Sequence, residues 1–146
     1  NKMLCQAPPC DEVMNQFADF IDGHNLVAHN ASFDKRFLDA ELNRISRKYA
    51  GRFACSMLVS RRVYPDISRH TLGNLVRFKG ISQNGTFHRA LSDSEMTAKL
   101  WLIMLSDISE RYELSPLPFV LMQQLAKQNK RTVHDFLQRQ RKNGSS

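Results

Sequence analysis

A chain of 146 residues fits one domain and is long enough to bury a core of its own. Its 21 Lys and Arg against 14 Asp and Glu leave a formal charge of +7, which favours polyanionic partners, nucleic acid first. No run approaches the ~20 apolar residues of a membrane span, and Cys5, Cys10 and Cys55 form no C-x-x-C pair or zinc-spaced Cys/His cluster, so reduced thiols in a cytoplasmic protein are expected.

The chain opens on Asn1 rather than Met, in what reads as a loop, and no charged-then-apolar leader is visible; a fragment of a longer protein is expected. Pro8 and Pro9 precede a helix predicted from about Asp11 to Asp22, with Val13, Phe17 and Phe20/Ile21 on one face and Gly23 as C-cap. Asn25–His29 (NLVAH) is too short for a helix and reads as a buried strand. Ser32–Tyr49 has helical spacing, with Phe33, Phe37, Leu38, Leu42 and Ile45 apolar, and Arg52–Met57 is a second strand candidate. Ser56–Val63 reads as a short helix stopped by Tyr64-Pro65, and Thr71 caps another, Leu72–Phe78, that ends at Gly80. A loop with an Asn84-Gly85 turn follows. The longest helix is predicted from Arg89 to about Tyr112, with Leu91, Ala98, Leu102 and Leu105 on one side. Beyond Pro116 and Pro118 come helices Phe119–Lys127 and Val133–Arg141, the second opened by the capping box Thr132-x-x-Asp135. The order predicts α/β layering, but two strands rarely hold a domain. Either further strands lie outside this chain, or a second chain pairs with the exposed sheet edge.

Nucleases gather carboxylates around two divalent metals roughly 3.5–4 Å apart, and they need a base to take a proton from water. Open α/β sheets bind ligands where a parallel strand runs into a helix. Asn30–Asp34 (NASFD) sits there, directly after NLVAH. Asp34 would lie near the first turn of its helix, where a carboxylate also serves the helix dipole. His88 and Asp93 form an H-x4-D pair at the start of the long helix, and His29 and Asp34 form a second. Positions five apart on a regular helix point about 140° apart, so His88 must lie on the preceding loop to share a site with Asp93. His29 also reads as a strand-end histidine held by backbone hydrogen bonds. Spacing alone does not choose the base. Basic residues cluster at Arg44, Arg47, Lys48 and Arg52, and again at Lys127, Lys130, Arg131, Arg139, Arg141 and Lys142; each cluster is a DNA-contacting surface or a solvated face.

The segment LVAHNASFDKRFLDAEL resembles the second motif of the DEDDh exonucleases, especially the proofreading epsilon subunit of bacterial DNA polymerase III and its stand-alone relatives. CSMLVSRRVYPDISRHTLGNLVRF resembles the segment that links motifs, and HRALSDSEMTAKLWLIML the third motif. The likeness covers about residues 1–112. It implies a ribonuclease H-like α/β exonuclease fold, here mostly helical and without its first strands. It also implies His88 as base, Asp34 and Asp93 as metal ligands, and Asn30 and Phe33 beside the substrate. His29 matches the strand-end histidine of the family. The family's first motif, Asp-x-Glu on its first strand, is absent, and the adjacent Asp11-Glu12 does not replace it.

The implied activity is 3′→5′ hydrolysis of terminal DNA phosphodiesters, releasing nucleoside monophosphates with two divalent ions, Mg²⁺ or Mn²⁺. The chain alone is expected to be inactive. Residues 1–112 form the exonuclease domain in this reading, and residues 113–146 a basic helical extension. Single-stranded 3′ ends, a polymerase and a second copy of the chain are the expected partners. The alternatives are a non-catalytic nucleic-acid-binding or polymerase-associated module and an RNA exonuclease, since nothing in the motifs tests for a 2′-hydroxyl.

Overall fold

The computed structural model describes residues 8–82 and 89–144. Seven α-helices and two strands are seen there, in the order α1 (Pro8–Ile21), β1 (Leu26–Ala28), α2 (Ala31–Arg44), β2 (Phe53–Cys55), α3 (Ser56–Val63), α4 (Leu72–Phe78), α5 (Arg89–Tyr112), α6 (Phe119–Ala126) and α7 (Val133–Gly144), with a 3₁₀ turn at Lys130–Thr132. The strands pair in a two-stranded parallel sheet, and the Leu26 amide donates to the Arg52 carbonyl at 2.9 Å. This is the mostly helical α/β arrangement that the sequence predicts. The Asn84-Gly85 turn and His88 lie outside the described residues.

The chain divides into two compact units. The first comprises Asn1–Leu26 and Ser32–Phe53. Its core is Ala18 and Ile21 of α1 against Leu38 and Leu42 of α2, with Met14, Ile45, Tyr49 and Phe53 around them. The buried face of α1 therefore runs through Met14, Ala18 and Ile21. The predicted face is wrong in large part: Val13, Phe17 and Phe20 are exposed. Helix α1 carries two apolar stripes, and small Ala18 sits on the one that packs against α2. Arg44 pairs with Asp11 and Arg47 with Asp19 at 2.8 Å, so half of the first basic cluster is taken up by α1 carboxylates.

Helix α2 stops at Arg44, five residues before the predicted end. The Arg47 amide reaches back to the Leu42 carbonyl at 2.8 Å and the Ser46 amide to Asn43 at 3.0 Å, with Ser46 at φ +58. That bond pair closes a helix through one left-handed residue, and a serine is filling the place usually given to glycine. The same pair ends α4, where Ile81 bonds to Val76 and Gly80 to Arg77. There the left-handed residue is Gly80, at φ +64, which bears no Cβ penalty.

The second unit comprises Val27–Ala31 and Ala54–Ser146. Its core is built on α5, whose buried stripe is Met96, Leu100, Met104, Ile108 and Tyr112. The predicted stripe is overturned at Ala98 and Leu102, which face solvent, whereas Leu105 packs against the core and the Leu91 side chain lies outside the description. Both stripes have helical spacing, so only the neighbours decide between them: α3, α4 and α7 all pack on α5. Leu121, Met122 and Leu125 of α6, with Phe136 and Leu137 of α7, are buried in this same core. The 3₁₀ turn begins under Asn129, whose side chain accepts from the Arg131 amide at 2.9 Å. Thr132, predicted as a cap, instead donates its hydroxyl to the Asn129 carbonyl at 2.9 Å. Cys10 and Cys55 are free and buried.

Candidate active site

The site begins where β1 ends. Asn30 takes φ +71, a conformation that Asn tolerates better than most residues. This reverses the chain within one residue and starts α2 at Ala31. Phe33 and Asp34 then fall on the first turn of α2, and both are exposed. Desolvation raises the Asp34 carboxyl above the usual range, opposed by a hydrogen bond from its own backbone N–H.

Flanking Asn30, His29 is held at both ring nitrogens. Its Nε2 lies 2.6 Å from the His70 carbonyl oxygen and its Nδ1 2.8 Å from Ser56 Oγ. A carbonyl only accepts, so Nε2 carries the proton, and in the neutral ring Nδ1 accepts from the Ser56 hydroxyl. Burial lowers the His29 pKa; the bond to His70 opposes this, while the charges of His70 and Arg61 add to it. His29 is thus a strand-end histidine held by hydrogen bonds at both ring nitrogens. On the other side of Asn30, the Ala31 amide donates to Cys55 Sγ at 3.3 Å. The same thiol accepts from the Leu58 amide at 3.5 Å and caps α3.

Behind His70 a second set of polar contacts continues. The His70 ring donates from Nε2 to the Tyr64 carbonyl at 2.8 Å. The Tyr64 hydroxyl donates to Asp107, which Lys79 also meets at 2.9 Å. Sequence reasoning missed Ser56, Cys55 and Asp107. A serine, a cysteine and an aspartate scattered over 52 positions carry no spacing signal, and only the fold gathers them.

Asp93 is exposed on α5, beyond its first turn. Asn30 and Asp93 belong to the second unit, and Phe33 and Asp34 to the first. Among the described residues no three His, Cys, Asp or Glu side chains gather as a metal centre. Asp34 and Asp93 offer hard carboxylate oxygens, the donor type that Mg²⁺ and Mn²⁺ prefer, but two such residues fall short of a complete two-metal set. Two Asp-x-Glu sequences do occur, and both are helical. Asp39 and Glu41 lie on α2 and pair with Lys35 and Arg44, and Asp93 and Glu95 lie on α5.

Among the described residues no helix is long and apolar enough to cross a membrane. Comparison with known proteins adds the family. A family model described as exonuclease matches residues 1–101. The DNA polymerase III PolC-type protein of Bacillus cereus is 33% identical over 110 residues, covering 75% of this chain and 8% of that protein. That of Streptococcus suis is 34% identical over 110 residues, with the same coverage. The DNA polymerase III subunit epsilon of Aquifex aeolicus is 27% identical over 117 residues, 77% of this chain and 55% of that subunit. The chain thus spans about a twelfth of the PolC-type proteins and about half of the epsilon subunit. No solved structure gives a significant match. The resemblance carried by the strand-to-helix motif is therefore one of common descent, and the chain belongs to the exonuclease family, related to the DNA polymerase III epsilon and PolC-type proteins.

Proposed function

We propose that the intact protein is a 3′→5′ exonuclease acting on terminal phosphodiesters of DNA. The observation that carries this reading is the β1–α2 junction of an exonuclease-family chain. It sets Asn30 in a left-handed turn and Asp34 on the first turn of the helix that follows. In this reading Asn30 and the exposed Phe33 contact the terminal nucleotides, Phe33 by stacking on a base. Asp34 and Asp93 hold divalent metal together with carboxylates from elsewhere in the intact protein. Bound metal supplies Lewis-acid activation of the attacking water and of the leaving oxygen. His88 takes the proton from that water. It is preferred to His29 because both nitrogens of His29 are already committed.

Residues 1–112 serve as the exonuclease domain and 113–146 as a basic extension that meets the DNA backbone. In this reading a polymerase is first among partner classes, which the relatives' names support, and the setting is cytoplasmic. The exposed edge of the two-stranded sheet is the surface for added strands or a second copy. The chain by itself is inactive in this reading, because it supplies only Asp34 and Asp93. The test is release of nucleoside monophosphate from the 3′ end of labelled single-stranded DNA by the intact protein with Mn²⁺. Binding without release supports the non-catalytic module instead, and a preference for RNA supports the RNA exonuclease.

A further inference from the structure

We propose that His29 is a positioning residue for this reaction: together with the buried Cys55 thiol it fixes the backbone on both sides of Asn30 and so holds Asn30 in the conformation that meets the substrate. The proposal rests on the reading of Asn30 as a substrate contact.

Asn30 adopts φ +71, a region that L-residues enter rarely and leave readily unless their neighbours are held. Its neighbours are held. His29 is tied through two ring nitrogens to two separate places in the chain, the Ser56 hydroxyl and the His70 carbonyl. Ser56 is completely buried, so its hydroxyl has no water to turn to. His70 is itself anchored by its ring to the Tyr64 carbonyl, which makes its own carbonyl a fixed post. One residue after Asn30, the Ala31 amide is tied to Cys55 Sγ, and that thiol is pinned by the Leu58 amide at the start of α3. The turn at Asn30 is therefore clamped before and after, to three residues, Ser56, His70 and Cys55, that all belong to the second unit. None of these groups needs to touch DNA for the clamp to matter, since small misplacement of a contact group lowers the rate steeply.

The test is a double-mutant cycle in the intact protein, measuring kcat/KM on single-stranded DNA with Mn²⁺ together with thermal stability. Asn30→Gly removes the side chain yet tolerates the left-handed turn. His29→Ala removes the clamp. Each single change is expected to lower kcat/KM, His29→Ala by roughly tenfold to hundredfold. In the Asn30→Gly background, His29→Ala is expected to cost little more. His29→Gln, which keeps a donor toward the His70 carbonyl, is expected to recover most of the rate. Where His29→Ala does not fold, Ser56→Ala removes only the Nδ1 partner and carries the same cycle. Losses that multiply independently in an active protein overturn the proposal alone, as does a wild-type rate for His29→Ala. An intact protein that releases no nucleotide from DNA overturns the functional reading, and this proposal with it.

Discussion

The Tyr64 hydroxyl donates to the same Asp107 carboxylate oxygen that the Lys79 ammonium meets at 2.9 Å. Tyr64 is buried, and Lys79 also lies over its ring, 5.1 Å from the centroid. Burial alone would raise the Asp107 pKa. The hydrogen bonds from Tyr64 and Lys79, with the charges of Lys79 and Arg111, outweigh it and bring the pKa below the usual value. Asp107→Asn is expected to cost about 1–3 kcal/mol, because it weakens the acceptor of a buried hydroxyl and leaves Lys79 without its counter-charge. A group whose folded pKa is depressed stabilises fully above its unfolded value, about 3.9, and loses that contribution as pH falls through the folded value. Denaturant titrations below about pH 4 should therefore show a shallower acid decline for Asp107→Asn than for the parent.

His29 gives a pH dependence of the same sign, at higher pH. Its folded pKa is lowered by burial and by the neighbouring His70 and Arg61 charges. Above about pH 6.5 the ring is neutral in both states and contributes no slope. Below that value the unfolded chain takes up a proton that the folded one resists, so stability falls with falling pH until the folded ring titrates. His29→Gln should flatten the stability profile just below about pH 6.5. An unchanged slope would mean that another histidine governs this range.

His88→Ala in the intact protein is expected to slow nucleotide release by about 10²–10⁴-fold, the usual cost of losing a general base, with DNA affinity nearly unchanged. His29→Ala is expected to slow it less. The comparison is made by single-turnover assay and by fluorescence anisotropy on the same oligonucleotide. The reverse order would make His29 the base.

Affinity for single-stranded DNA should fall steeply with salt, with a log–log slope of about −0.7 for each phosphate contacted. Removing residues 113–146 would not test the tail cleanly, because Leu121, Met122, Leu125 and Leu137 belong to the core. Charge neutralisation does. Lys127, Lys130, Arg131, Arg139 and Lys142 are exposed, and Gln at all five should flatten the slope while leaving thermal stability close to that of the parent. An unchanged slope would make the tail a bystander.

Residues 1–146 alone are expected to release no nucleotide with Mn²⁺, because Asp34 and Asp93 fall short of a two-metal carboxylate set, whereas the intact protein is expected to be active. Assay and sizing of both, side by side, check this. A fully active monomer of residues 1–146 would mean that other carboxylates of the chain complete the metal site.

Periodicity and punctuation in the sequence determined most of the elements. α3 and α4 run over the predicted residues because a Pro at one boundary and Thr71 and Gly80 at the others are local signals that act through the backbone itself. β1 is a short apolar run with no room for a helix, and α5 carries too long a pattern to be anything else. The order of three motifs likewise determined the family. Packing decided which stripe of a helix is buried. α1 and α5 each carry two apolar faces, and the choice of Ala18 and Leu100 over Phe17 and Leu102 depends on what lies opposite, which periodicity does not encode. The end of α2 was equally hidden, since serine seldom fills a left-handed cap. His29 shows the same division in the site. Its place at a strand end was legible from NLVAH, but the partners of its ring nitrogens, Ser56 and His70, lie 27 and 41 positions away. Those partners are brought to the imidazole by the fold alone, because hydrogen bonds to residues so distant in sequence leave no local pattern.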